Sequence, residues 1–103
     1  MAVRSELSNT SDGDVLTISV TGRFDIDSYK DFTQAYKERP ETISKYVIDM
    51  SDLEYMDSSA LGMILMLRER VGDENAKIDI LNCSPGIRKI LKTANFDRLV
   101  NVG

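Results

Sequence analysis

The sequence contains no histidine, no tryptophan, one cysteine and two prolines. Each shortage removes a class of chemistry. Without histidine, the Ser-His-Asp and Cys-His arrangements that activate a nucleophile are excluded, and any general base would have to be a lysine or a carboxylate. Cys83 has no second cysteine with which to form an internal disulfide, and no partner set for zinc. At the end of an apolar segment it reads as a small buried hydrophobe rather than a reactive thiol. Long apolar runs are missing as well. The longest, Leu61 to Leu67 with Gly62 inside it, is far too short to cross a bilayer. The opening Met1-Ala2-Val3-Arg4-Ser5-Glu6 carries no apolar run, so the expectation is no signal peptide, no membrane insertion and a cytoplasmic location. Positive charge is in deficit, with 13 Lys and Arg against 17 Asp and Glu and a net charge of −4, which argues against nucleic acid. No glycine-rich phosphate loop is present. Asp25 and Asp27 share one short loop with no third ligand indicated, so neither a metal nor a cofactor is implied. The chain is not expected to be an enzyme.

What is present suits a single domain over residues 1–103, with ordinary apolar and charged content. Asp12-Gly13-Asp14 is a hairpin turn signal. After it, Leu16, Ile18 and Val20 alternate with Thr17, Ser19 and Thr21, as in a half-buried strand. Arg4 to Asn9 pairs with it as an edge strand, and Gly22 ends it. Arg23 to Asp27 is a loop. Ser28-Tyr29-Lys30-Asp31 resembles a capping box. Tyr29, Phe32, Thr33 and Tyr36 then recur at helical spacing to about Lys37, where Arg39-Pro40-Glu41 stops the helix. Tyr46 to Met50 is a short, apolar central strand, and Ser51 to Met56 connects it to the next helix. That helix runs from Ser58 to about Val71 and closes at Gly72-Asp73. Lys77 to Asn82 is another strand. Ser84-Pro85-Gly86 opens a third helix with Ser as cap and Pro at the first helical position; Ile87, Ile90, Leu91 and Ala94 form its buried stripe, and Arg88, Lys89 and Lys92 its solvated face. Leu99 to Val102 forms a last strand. Strands joined by helical crossovers run parallel, so the fold class is α/β: a mixed sheet of about four or five strands, the first pair antiparallel, with about three helices packed on it.

The stretch Met56-Asp57-Ser58-Ser59-Ala60-Leu61-Gly62 joins the apolar strand to the most apolar helix. Two serines after an acid mark a helix start, because short polar side chains accept hydrogen bonds from the first free backbone amides. The same end carries the positive pole of the helix dipole and tolerates added negative charge. Two readings of Ser58 and Ser59 therefore stand side by side: helix caps, or hydroxyls that hold a phosphate. Gly62 costs about 1 kcal/mol relative to Ala inside a helix. Close packing on the sheet is the favoured reason for it, and close approach of a partner the other. Met63 and Met66 lie in a helix with apolar residues on more sides than one sheet can cover, so one of them is a candidate partner contact.

The order of elements, Gly22-Arg23-Phe24-Asp25 after the second strand, the run from Asp49 through Asp57-Ser58-Ser59-Ala60-Leu61-Gly62, and Ser84-Pro85 together resemble the STAS domain family. Within it, the chain is most similar to the small anti-sigma factor antagonists. The resemblance covers nearly the whole chain, with Ala60 where the family often has glycine. It implies a STAS-like sheet and a partner switch. The unphosphorylated antagonist binds an anti-sigma factor with serine kinase activity, phosphorylation breaks the complex, and a metal-dependent serine phosphatase resets it. The family's phosphorylated serine maps to Ser58, with Ser59 as runner-up. Asp25 and Asp57 match acidic positions near the family's site, and Ser59, Ala60 and Met63 complete the expected partner surface. The free protein is expected to be a monomer. STAS domains also serve membrane transport complexes, which is the alternative reading.

Overall fold

The computed structural model describes residues 2–37, 43–72 and 77–103. The chain opens with an antiparallel hairpin of β1 (Ala2–Thr10) and β2 (Gly13–Phe24), in which Val3 faces Val20 and Leu7 faces Leu16. Gly13 turns it with φ 122°, a conformation that favours glycine, and a Cβ there would meet Ser44 Oγ at 2.6 Å. A 3-10 turn at Ile26–Ser28 leads into α1 (Tyr29–Lys37). Then follow β3 (Ile43–Asp49), β4 (Leu53–Met56), α2 (Ser58–Arg70), β5 (Ile78–Leu81), α3 (Pro85–Thr93) and β6 (Asn101–Val102). The sheet order is β1-β2-β3-β5-β6, with β4 paired to β2 off this path. Every pairing after the hairpin is parallel. The mixed sheet with its antiparallel first pair and packed helices is as the sequence implies, with six strands and three α-helices among the described residues where four or five strands and about three helices are expected.

The additional strand is β4, which reads as a connection in the sequence because it is four residues long and turns Glu54 and Tyr55 outward. Its partner is the end of β2. That strand does not stop at Gly22 but runs on to Phe24. Gly22 has φ 74°, and the β2–β4 register shifts between Gly22 and Arg23. Such a bulge bends a strand and re-aims it. Here it carries β2 from pairing with β1 and β3 to pairing with β4.

Leu16, Ile18 and Val20 of β2, Ile48 of β3 and Ile80 of β5 form one core cluster with Phe32 of α1, Ile64 and Leu67 of α2, and Leu91 of α3. Phe32 lies against Phe24 with ring centroids 5.0 Å apart. In α3, Ile87 and Leu91 are buried but Ile90 and Ala94 are exposed, so its buried stripe is narrower than the spacing suggests. Ser84 caps α3 by accepting the Ile87 amide at 3.3 Å, ahead of Pro85. The helix stop expected at Arg39-Pro40-Glu41 lies outside the described residues, as does Asp73.

The opposite face of the parallel strands carries half-exposed polar groups tied across the strands. Lys45 Nζ lies 2.6 Å from Asp79, which also accepts from Asn101 Nδ2 at 2.8 Å. Asp49 accepts from Asn82 Nδ2 and from the Ser51 amide, both at 3.0 Å. The Asn82 bond, followed by those from Ser51, holds the Asp49 carboxyl below the usual value against the opposing effect of burial. For Asp79, burial alone acts upward, but the bonds from Lys45 and Asn101 and the Lys45 charge together hold it below the usual value.

Candidate functional site

β2 and β4 end side by side. Phe24 is paired with Met56, and the Asp57 amide donates to the Phe24 carbonyl at 3.3 Å. Each strand is followed by an aspartate that starts a helical turn. The register therefore brings Asp25 and Asp57, 32 residues apart in sequence, to one end of the sheet.

Asp25 caps the 3-10 turn, its carboxylate accepting the Asp27 amide at 3.1 Å. Ser28 answers in a capping box: its buried hydroxyl accepts the Asp25 amide at 3.1 Å and donates to the Arg23 carbonyl at 3.2 Å. The box thus lies three residues before the one suggested by Ser28-Tyr29-Lys30-Asp31. Arg23 Nε reaches Asp25 at 3.4 Å, and the Arg23 guanidinium lies 4.1 Å from the centre of the Tyr55 ring.

Asp57 is the cap of α2. Its backbone is extended at φ −126°, and its carboxylate accepts the Ser59 amide at 2.9 Å. The reading of the serines as caps is corrected by this geometry: the acid one residue earlier takes the orphan amide. Ser58 is the first helical residue, exposed, and among the described residues its hydroxyl makes no hydrogen bond. Ser59 is half-buried with its amide already engaged.

Ala60 and Met63 do not stand on the surface with Ser58. They are 0% and 3% exposed and belong to the core. With 3.6 residues per turn, Ala60, Met63, Ile64 and Leu67 form the inner face of α2, and Ser58, Gly62, Leu65 and Glu69 lie opposite. That outer line is exposed, and Met66 flanks it; Leu65 and Met66 keep 40% and 43% of their surface in solvent. Gly62 is exposed too, and a Cβ built on it would meet nothing within 4 Å. Packing on the sheet is therefore not why glycine stands there. The 3-10 turn packs beside α2, and its Ile26 is 66% exposed. Of the two methionines offered as partner contacts, Met66 lies on this open apolar face and Met63 does not, while Leu65 and Ile26 are the parts of it not named from the sequence. The signal for Leu65 was available: it lies diametrically across the helix from the Ala60–Leu67 stripe.

An exposed hydroxyl sits at the positive end of a 13-residue helix. Asp57, the acid next to Ser58, uses Oδ1 to hold the Ser59 amide. Among the described residues no three or more Cys, Asp or Glu side chains gather as a metal site, and no helix is long and apolar enough to cross a membrane.

Known proteins share this fold across more than one role: a sulfate transporter family protein from Wolinella succinogenes superposes with a TM-score of 0.70 over 84% of this chain and 75% of its own at 13% identity, a likeness of fold. Residues 7–101 match the family model described as "Mlab, STAS domain". A STAS-domain containing protein of Pseudomonas aeruginosa is 47% identical over 93 residues, covering 90% of this chain and 92% of the relative. The STAS domain of an antisigma-factor antagonist from Rhodobacter sphaeroides is 32% identical, covers 79% of this chain and 85% of that one, and superposes with a TM-score of 0.57. The anti-sigma factor antagonist SpoIIAA in its unphosphorylated form superposes with a TM-score of 0.75 over 99% of this chain and 88% of its own; at 18% identity this is a likeness of fold.

Proposed function

This chain belongs to the STAS domain family, and we propose that within it the protein acts as an anti-sigma factor antagonist whose partner binding is switched by phosphorylation of Ser58. The bare form binds an anti-sigma factor that carries serine kinase activity. That kinase transfers a phosphoryl group to the Ser58 oxygen and the complex separates. A metal-dependent serine phosphatase then hydrolyses the ester and restores the binding form. The cycle runs in the cytoplasm, and the free antagonist is a monomer.

The observation that carries this reading is the division of labour at the start of α2. Asp57 holds the Ser59 amide, which leaves the Ser58 hydroxyl exposed and unengaged. Phosphorylation adds about −1.5 to −2 charge and three strong acceptors. The helix tolerates this at its N-terminus, where dipole and free amides offset part of the charge, although Asp57 next door opposes it. A partner surface fitted to a neutral hydroxyl does not, since the new charge would be desolvated beside Asp57. One modification thus leaves the fold intact and breaks a complex. Ser59, half-buried, is the weaker acceptor.

Asp25 and Asp57 frame the surface from two adjacent turns. Because Ala60 and Met63 are buried, the apolar part of the contact falls to Leu65 and Met66. The test is binding of the purified kinase-type anti-sigma factor before and after incubation with ATP. Loss of the complex in the wild type, with Ser58→Ala staying bound, is the expected result. Loss in both would remove Ser58 from the mechanism. Association with a membrane permease instead would favour the transport role.

A further inference from the structure

Gly62 interrupts the middle of α2 without any reason inside the fold. It has ordinary helical backbone, it is exposed, and a methyl group added there would touch nothing within 4 Å. Glycine at an exposed mid-helix position weakens a helix relative to alanine, so a residue kept there for the fold alone would be expected to carry a side chain. Gly62 lies one turn from Ser58 on the same outer line, where Cβ positions are about 5–6 Å apart. Beyond it on that line come Leu65 and, to one side, Met66, both well exposed. The result is a notch: bare backbone between a hydroxyl and an apolar shelf.

We infer that Gly62 is a specificity-determining residue of the partner surface, a gap into which the kinase-type anti-sigma factor brings an apolar segment to within backbone contact of α2. This deepens the switch proposed above and rests on it. The occupant's chemistry follows from the surroundings. The floor is backbone and the wall is Leu65 and Met66; Asp57 lies beside Ser58 at one end, and at the other the exposed Glu69 stands between Arg68 and Arg70. The one basic group described at the Ser58 end of α2, Arg23, is already held by Asp25 and Tyr55. The complementary segment is therefore apolar at its centre and basic at the margin that meets Asp57. Seated at Gly62, it also touches Ser58, so a phosphoryl group on the same line and an added side chain at Gly62 obstruct the same contact.

The inference predicts opposite signs for fold and binding in one variant. Gly62→Ala should raise the melting temperature by about 4 °C. It should also weaken binding of the purified kinase-type anti-sigma factor by about tenfold or more, because a methyl group is forced into a close-packed contact. Gly86→Ala is the control, since Gly86 is exposed on α3 and a Cβ there also meets nothing within 4 Å; it should bind as the wild type does. If Gly62→Ala binds within about twofold of wild type, the inference is overturned and the Ser58 switch stands. If both glycine variants lose affinity equally, or Gly62→Ala lowers the melting temperature, the role assigned to the notch is wrong. If wild type and Ser58→Ala both fail to bind, the switch itself fails and the inference falls with it.

Discussion

The Asp57 amide donates to the Phe24 carbonyl at 3.3 Å. This bond ties the last residue before α2 to the end of β2, and it sets the start of the helix against the 3-10 turn capped by Asp25. The position of Ser58 is thus fixed by a sheet register rather than by a loop. A site built on strand ends and a helix start keeps its geometry better than one carried on a loop.

Removing the cap of α2 should be costly. Asp57→Ala leaves the Ser59 amide without its partner and should destabilise the protein by about 1 kcal/mol, or about 4–8 °C in melting temperature for a domain of this size. Asp57→Ser, which keeps a capping oxygen, should recover most of this. Ser58→Ala should leave the melting temperature within about 2 °C of wild type, since its hydroxyl holds nothing in the fold. Thermal denaturation of the three variants checks the assignment. A large loss on Ser58→Ala would return the serine to a structural role.

The two serines should separate in a kinase assay. With the cognate kinase and ATP, Ser59→Ala should still accept one phosphoryl group, and Ser58→Ala none. Transfer to Ser58→Ala at the same peptide would move the acceptor to Ser59.

Much of this was legible from residue spacing. The alternation of Leu16, Ile18 and Val20 marked β2, the Ser84-Pro85 pair marked the start of α3, and Asp12-Gly13 marked the hairpin. The misses share a physical cause: they depend on which of several neighbouring polar groups wins a given amide, and on which strand a bent strand pairs with. Asp57, Ser58 and Ser59 are all good capping residues. Only the backbone, extended at Asp57 and helical from Ser58, decides among them. β4 was hidden because its partner is a two-residue extension of β2 beyond a glycine bulge, and no local pattern marks that. For Gly62 the spacing alone favours packing, and the face on which it falls is set only by the core's choice of Ala60, Ile64 and Leu67.

Acid should unfold the protein partly through the open sheet face. Asp49 and Asp79 are both held below the usual carboxyl value in the folded state. As pH falls the unfolded chain therefore takes up protons first. Their contribution is complete above the ordinary aspartate value of about 4 and is lost as pH falls through it towards the lower folded values. Asp79→Asn, which cannot titrate, should be less stable than wild type at neutral pH and should lose less stability on acidification. Urea midpoints from about pH 6 to about pH 3 measure both effects. An acid limb as steep in Asp79→Asn as in wild type would show that Asp79 does not contribute.

The core side of α2 should behave as structure and not as surface. Leu67→Ala, at a fully buried position, should cost about 2–5 kcal/mol. Leu65→Ala and Met66→Ala should each change stability by less than about 0.5 kcal/mol while weakening the anti-sigma factor complex. Denaturant melts and binding titrations of the three variants separate the two faces, and a strong stability loss at Leu65 would place it in the core.

The most direct measurement is the intact mass of the protein purified from its native host, with peptide mapping across residues 56–68 before and after treatment with a serine phosphatase. A partial species heavier by about 80 Da, localised to Ser58 and removed by the phosphatase, is the predicted result. A protein that stays unmodified under every growth condition with the cognate kinase present, or that carries its phosphate elsewhere, would contradict the switch at Ser58.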